Sequence, residues 1–294
     1  LALARRVARP ILLAVAIAMG GVIYPLAGNW VWGGGWLALL GLNAGFGHGF
    51  VDLGGSATLH VLGASAALAG IIIFGRSAPA VTDDTPPKLP PAHFPVLMLI
   101  GGLLAPIGWL GLTLANPLLP PDISLGLVAV NIMLAGLGGA APGLFYSWLA
   151  TGHTDALLAC RGLVAGLVAG SASSAFVPPW AALLVGILAG QILPLFLYWV
   201  EHQLHWHDPN AILAVHGVPG LLGTLWLALF ADGRFGLGLN GITTRFGLTH
   251  QGVAGLVVAP GYVSDVPQLY GQLAGLGGII MLAFGIPVLI FGLV

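Results

Sequence analysis

Residues 52–60 read DLGGSATLH, and residues 208–216 read DPNAILAVH. In both stretches a histidine follows an aspartate by eight residues, and the aspartate stands where polar sequence gives way to a long apolar run. Eight helical residues span about 12 Å, so each histidine is expected roughly two turns inside its run. Matched ionisable positions in two oppositely directed membrane segments are typical of inverted-repeat transporters. Ionisable side chains at such depth are costly, so His60 and His216 are functional candidates.

The composition predicts a membrane protein. Of the 294 residues, 58% are hydrophobic and 6% are charged, and the mean hydropathy is +1.01. Soluble domains carry about a quarter charged residues. The net charge of −1 gives no footprint for nucleic acid. The single cysteine, Cys160, excludes an intrachain disulfide. No nucleophile–base set, phosphate loop or metal cluster stands out, so neither an enzyme nor a metal site is expected; His202, His205 and His207 fit a solvated loop better.

Eight apolar runs are long enough to cross about 30 Å of hydrocarbon, which takes roughly 20 residues. They cover residues 9–29, 55–75, 93–115, 123–149, 157–176, 180–200, 210–231 and 268–293. The sequence therefore predicts an all-α polytopic membrane protein, with residues 1–294 forming one transmembrane domain. The polar stretches 77–91 and 201–208 are interpreted as loops, and the glycine-rich stretch 232–268 is expected at a membrane surface.

Basic residues give the orientation, because cytoplasmic loops carry an excess of lysine and arginine. Arg5, Arg6 and Arg9 precede the first run and place the N-terminus in the cytoplasm. Alternation then places the C-terminus in the cytoplasm as well, for a protein of the cytoplasmic (inner) membrane. Arg234 and Arg245 fall in an outer loop and disagree mildly. The two runs that carry the paired histidines would cross the membrane in opposite directions.

His60 and His216 are the two histidines that fall well inside apolar runs. One interpretation is two separate core histidines, each bonded to a neighbouring helix. The other is an adjacent pair, in which one ring nitrogen donates a proton and the other accepts it. Such a pair makes a narrow polar thread that passes a small neutral hydrogen-bonding molecule and can relay a proton. Axial ligation of haem or chlorophyll is a third interpretation, but the adjacent glycines and alanines favour tight helix packing, so no cofactor is predicted.

Three more side chains have both a structural and a functional interpretation. Asp52 and Asp208 are expected to cap the helices that follow them, because aspartate accepts from free N–H groups of a first turn. Asp52 could equally stabilise a cation near the outer mouth of a pore. Trp32 fits an interfacial aromatic belt, or a cation–π surface for a small cation.

Five segments together resemble the ammonium transporter family (Amt/Mep/Rh). They are residues 31–36 (VWGGGW), 47–56 (GHGFVDLGGS) continuing to His60, 107–111 (IGWLG), 162–168 (GLVAGLV) and 215–220 (VHGVPG). The resemblance implies a homotrimer in the lipid bilayer, with a narrow apolar pore in each protomer. It also implies an eleven-helix fold, whose first ten helices form an inverted repeat of five plus five. The implied function is transport of ammonium or ammonia.

The resemblance also implies roles for single residues. His60 and His216 match the twin histidines of the pore. Trp32 and Asp52 match the site that recruits ammonium, and Asn116 stands at the serine of that site. A phenylalanine that gates the pore is matched by Leu112.

Several departures from the family leave a second hypothesis open. Eight of eleven helices are present, and the first three would precede Leu1, so the chain is expected to be incomplete. Besides Leu112 and Asn116, Arg161 replaces a small or polar residue, and Ala211 replaces an aspartate of the second histidine motif. Arg161 is expected to snorkel to the headgroups, with a buried partner for a carboxylate or carbonyls as the alternative. These departures motivate the alternative of a non-transporting sensor or a structural subunit of a larger membrane complex.

Overall fold

The computed structural model describes residues 7–74, 95–116, 119, 122–206, 208 and 210–292. These residues are almost entirely helical and form no β-strand; two isolated bridges pair Asp232 with Ala254 and Arg245 with Leu248. The helices are Arg9–Trp32 (α1), Leu40–Ala44 (α2), Ser56–Phe74 (α3), Pro95–Leu114 (α4), Leu125–Thr151 (α5), Ala156–Ser171 (α6), Pro179–His202 (α7), Leu213–Phe230 (α8) and Val266–Gly292 (α9). The predicted loop at 77–91 lies outside the described residues.

The predicted membrane runs each correspond to one helix. Within the described residues, seven helices are long and apolar enough to cross a membrane, and α6 is an eighth, shorter apolar helix. The prediction of an all-α, multi-pass membrane protein is therefore confirmed. The predicted run 157–176 extends beyond α6, because the chain leaves the helix after Ser171 and forms a buried turn.

Glycines bring the backbones of α5, α6 and α7 into direct contact. A Cβ at Gly166 or Gly186 would collide with the carbonyl of Ala135, and one at Gly190 with the carbonyl of Gly139. Small residues are the usual means of close helix packing in membranes. The middle of the bundle is thus packed too tightly for larger side chains at these positions.

The two histidine helices run antiparallel to each other. Near the start of α8, Gly217 faces Ala64, and three residues further on Gly220 faces Ser56 and Val61. Residue numbers therefore rise along α8 while they fall along α3. His60 and His216 each lie about one turn inside their own helix. The antiparallel arrangement therefore brings their side chains to the same level.

Both histidine helices begin with a π-helical segment. Ser56–Val61 opens α3 and contains His60, and Leu213–Gly217 opens α8 and contains His216. A third π-helical segment, Met19–Ile23, lies inside α1. π-Helical turns are rare and frequently occur at functional sites.

The glycine-rich segment between α8 and α9 folds back on the helices. Arg245 makes a two-point ion pair with the buried carboxylate of Asp265, with N–O distances of 2.8 and 2.6 Å. Arg234 pairs with Asp232 through Nε and Nη2, which both donate to the single oxygen Oδ2. The two arginines that disagreed with the predicted orientation are therefore each neutralised by an aspartate.

Candidate functional site

The imidazoles of His60 and His216 lie in contact. Their Nδ1 atoms are 3.2 Å apart, the ring centroids are 5.1 Å apart, and the ring planes differ by 12°. The interpretation of two separate core histidines is therefore wrong for this fold. A direct contact between the two nitrogens also leaves no space for a metal-centred macrocycle between the rings.

Trp109 stacks on a face of His60. The two ring centroids are 5.4 Å apart and the planes differ by 5°, so the rings are stacked. The Trp109 indole N–H donates to Ser171 Oγ at 2.8 Å, which in turn donates to Leu167 O. Sequence reasoning did not single out Trp109 as a site residue. Its signals were a place in the segment 107–111, which carries the family resemblance, and a tryptophan inside an apolar run, where the indole N–H needs a partner.

Asp52, before α3, and Asp208, before α8, make the same contact with the helix that follows. Asp52 Oδ2 accepts from Ala57 N at 3.0 Å, and Asp208 Oδ2 accepts from Leu213 N at 2.8 Å. In each case the donor is five residues after the aspartate, in the first turn of the histidine helix. Thr58 adds two further donors to Asp52, from its backbone N–H and its hydroxyl.

The Asp52 carboxyl is buried and incompletely bonded. The residue is 2% exposed, and its Oδ1 has no hydrogen-bond partner among the described residues. Burial raises the pKa of this carboxyl above its ordinary value, although hydrogen bonds from Thr58, Ala57 and Ser56 oppose the rise. Loss of water thus raises the pKa of Asp52, and the hydrogen bonds donated to its carboxylate lower it.

A cavity of about 320 Å³ holds three predicted recruitment residues, and we call it the Trp32 cavity. Its lining includes Trp32, Asp52 and Asn116, with aromatic faces from Phe50 and Phe176. The Trp32 indole N–H donates to Asp52 O at 2.8 Å, which fixes the ring against the start of α3. Its remaining lining residues are Val31, Val51, Leu53, Leu119, Leu237, Gly238, Leu239 and Asn240.

The histidines themselves line a second cavity of about 320 Å³, which we call the histidine cleft. Its other lining residues are small or aliphatic: Leu59, Gly63, Ala64, Ala67 and Ile212. Both imidazoles remain partly exposed to it, and His60 Nε2 has no hydrogen-bond partner among the described residues. The cleft is therefore an apolar surface with a pair of polar rings in it.

Two predicted residues lie elsewhere. Leu112 is 50% exposed and lines neither cavity, so its gate role stays a prediction. Arg161 is 7% exposed, so the prediction that it snorkels is wrong: the neighbouring helices bury it. Its charge is attracted by the carboxylates of Asp155 and Asp208, as the alternative interpretation proposed.

No metal site emerges from the described residues, in which no three histidine, cysteine, aspartate or glutamate side chains are grouped closely enough to hold an ion. His202 is the last residue of α7 and His205 lies in the loop that follows, whereas His207 lies outside the described residues.

Comparison with known proteins gives the family. The model of the Ammonium Transporter Family matches residues 1–294. The chain belongs to this family. Amt2 of Archaeoglobus fulgidus is 34% identical over 227 residues, which cover 76% of this chain and 48% of that protein. Amt2 of Haloferax mediterranei is 34% identical over 233 residues, which cover 74% of this chain and 49% of that protein. The chain thus spans about half the length of the curated relatives it matches.

Solved structures of the ammonium transporter family share the fold. A structure described as a sensor Amt protein superposes with a TM-score of 0.78 at 26% identity, over 99% of this chain and 66% of that one. Mep2 of Candida albicans superposes with a TM-score of 0.72 over 92% of this chain and 54% of that one. Its identity is 24%, so this match supports the fold alone.

One departure from the ammonium transporter pattern has a local structural consequence. Ala211, for which the resemblance implies an aspartate in the family, is fully buried and has a φ of 55°. The left-handed region costs an alanine more than an asparagine, aspartate or glycine. The turn before α8 is therefore less favourable with alanine at position 211 than with one of those three residues.

Proposed function

We propose that the protein transports ammonium or ammonia across the membrane, with the Trp32 cavity as its recruitment site and the histidine pair on its conduction path. The observation that carries the proposal is the 3.2 Å contact between the Nδ1 atoms of His60 and His216 on antiparallel helices. Since the chain is shorter than its relatives, the proposal concerns the full-length protein.

The recruitment step uses opposite charge and aromatic faces. Ammonium enters the Trp32 cavity, where the ring of Trp32 attracts a cation and the buried Asp52 carboxylate supplies negative charge. Ammonium gives up one proton to solvent water, which leaves ammonia, a neutral molecule that is cheaper to move through an apolar passage. The paired histidines relay the proton separately, so each turnover moves net charge. Asn116 lines the same cavity, but its side-chain amide already donates to Leu53 O at 2.9 Å.

The histidine pair offers one donor and one acceptor along the path. If one Nδ1 carries the shared hydrogen, the Nε2 of that ring is an acceptor and the Nε2 of the other ring is a donor. Ammonia both donates and accepts hydrogen bonds, so it can pass from one ring to the other without an unpaired polar group. Trp109 stacked on His60 holds the ring in this orientation.

The test is ammonium-dependent current in liposomes that contain the full-length protein. His60→Ala and His216→Ala should change both the current and its pH dependence. His153→Ala removes an exposed histidine and should leave both at the wild-type level. An intact, purified wild-type protein that gives no ammonium-dependent current or flux would count against transport.

The assembly and location follow the family in this proposal. The protein forms a homotrimer in the cytoplasmic membrane, with its C-terminus in the cytoplasm and residues 1–294 in one transmembrane domain. Native mass spectrometry of the purified protein measures the number of subunits, and a reporter fused after Val294 gives the side of the membrane.

A sensor or structural subunit is the second candidate. One support is that the sensor Amt structure superposes on 99% of this chain. The other is that Leu112, the expected gate residue, lines neither cavity. Co-purification with other subunits at fixed stoichiometry, together with no ammonium-dependent current, would favour it over the transporter.

A further inference from the structure

One wall of the Trp32 cavity comes from a loop that is distant in sequence. Leu237, Gly238, Leu239 and Asn240 are consecutive residues, and all four line the cavity. We call residues 237–240 the wall strip. It lies between α8 and α9, whereas Trp32 and Asp52 belong to the segments around α1 and α3.

Two side chains fix the wall strip at its ends. Asp122 Oδ2, from the segment before α5, accepts from Gly236 N at 2.8 Å and from Leu237 N at 3.1 Å. At the other end, Asn240 Nδ2 donates to the backbone carbonyl of His48 at 2.7 Å. The His48 backbone N–H in turn donates to the side chain of Gln268 on α9, at 2.8 Å.

The backbone in and around the wall strip has four positive φ values. Gly236, Gly238, Asn240 and Gly241 have φ values of 88°, 78°, 54° and 80°. Glycine adopts such values without steric cost, and asparagine is among the residues that tolerate them best. The sequence therefore suits this turn, and the hydrogen bonds that Asp122 accepts and Asn240 donates hold it in place.

The size of the Trp32 cavity gives the wall strip a role. A water-sized molecule occupies about 30 Å³, so a cavity of about 320 Å³ is many times larger than one ammonium ion. Contacts with Trp32 and Asp52 can hold the charged end of a ligand, but they set no upper limit on the size of the rest of the ligand. That limit must come from another wall, and the wall strip contributes Leu237 and Leu239 to the lining.

We propose that the wall strip sets the upper size of the alkylammonium cations that the Trp32 cavity accepts, with Asp122 and Asn240 as the positioning residues that hold it. The inference rests on the proposed function, because it concerns the same cavity. Leu239 acts directly, as apolar surface in the cavity, and Asp122 acts through the position of the strip.

The experiment compares two variants of the full-length protein with a matched control. Asp122→Ala releases the strip, and Leu239→Ala enlarges the cavity without touching either fixed end. Asp155→Ala is the control, because Asp155 also accepts from two backbone N–H groups, those of Leu157 and Leu158, but lines neither cavity. Liposome currents are measured with ammonium and with ethylammonium, and binding of ¹³C-labelled ethylammonium is measured separately by NMR in detergent.

We expect both test variants to raise the ethylammonium-to-ammonium ratio about tenfold, the discrimination that a methylene-sized difference commonly carries. Asp155→Ala should keep the wild-type ratio. Hydrogen exchange should also become faster at residues 236–240 in Asp122→Ala. If that variant fails to fold, Leu239→Ala decides.

Unchanged ratios in Leu239→Ala would overturn the inference, and so would an Asp122→Ala ratio equal to that of the Asp155→Ala control. A wild-type protein without current, whose ethylammonium binding still depends on Leu239, would refute transport and support the wall strip. Absence of both current and binding would overturn both proposals.

Discussion

Gly275 on α9 provides a test of how the Trp32 cavity is packed. A Cβ at Gly275 would collide with the ring of Phe50, whereas a Cβ at Gly277 meets no atom within 4 Å. Phe50 is 1% exposed and lines the cavity. We therefore expect Gly275→Ala to displace the ring of Phe50 and change the shape of the cavity, and Gly277→Ala to leave both unchanged.

The expected difference in stability follows from two opposing effects. Alanine stabilises a helix interior by about 1 kcal/mol relative to glycine, and both variants gain this. Gly275→Ala also overpacks a buried aromatic ring, which costs about 1–3 kcal/mol. The two variants should therefore differ by about 2 kcal/mol, which corresponds to about 5 °C in unfolding temperature for a chain of this size.

The assay is thermal unfolding of the two purified variants in the same detergent, followed by ammonium-dependent current in liposomes. Gly277→Ala should unfold at or above the wild-type temperature and keep the wild-type current. Gly275→Ala should unfold at a lower temperature and give an altered current. Equal unfolding temperatures for the two variants would refute the packing argument, and a normal current in Gly275→Ala would refute its link to the cavity.

Three further predictions concern buried residues that line neither cavity. Burial, assisted by the positive charge of Arg245, lowers the pKa of His48 from 6.5 to about 4. Below pH 6.5 the unfolded chain then binds more protons than the folded chain. About 3 kcal/mol of stability should therefore be lost as the pH falls from 6.5 to 4. Unfolding free energy measured against pH should show a flatter dependence in His48→Leu than in the wild type. Asp265→Asn removes one partner of a buried ion pair and should lower the unfolding free energy by about 3 kcal/mol, whereas an unchanged unfolding temperature would contradict a structural role for the pair. Ala211→Gly should raise the unfolding temperature, because glycine adopts a positive φ without the cost that alanine incurs, and the gain is expected to be about 1 kcal/mol; a lower temperature would show that the alanine methyl group packs usefully.

The membrane helices and the histidine pair were predictable from sequence for physical reasons. A membrane helix must satisfy its backbone within about 20 apolar residues, which leaves a local signal that needs no knowledge of the fold. The pair was predictable because two local patterns repeat at the same spacing and occur on oppositely directed runs. His60 and His216 are 156 residues apart, and the symmetry favoured their contact among the interpretations that the sequence left open.

Contacts without such symmetry were not predictable. The stacking of Trp109 on His60 joins two helices that share no repeated pattern. The hydrogen bond that Gly236 N donates to Asp122 Oδ2 spans 114 residues and depends on the turn geometry of a glycine-rich loop. Arg161 was misjudged for a related reason: its place near a helix end suggested exposure, but burial depends on the neighbouring helices.

The segments that place His60 and His216 share the same local structure, but they differ in the charges around their aspartates. In both, an aspartate binds an N–H five residues on, at the start of a π-helical segment that carries the histidine. Asp208 shares its surroundings with the positive charge of Arg161. In the described part of the chain, no cationic side chain pairs with Asp52, which lines the Trp32 cavity. A buried carboxylate without a protein cation stabilises a cation that enters its cavity. We therefore infer that the two histidine segments supply a matched pair of rings but differ in the charge beside each aspartate.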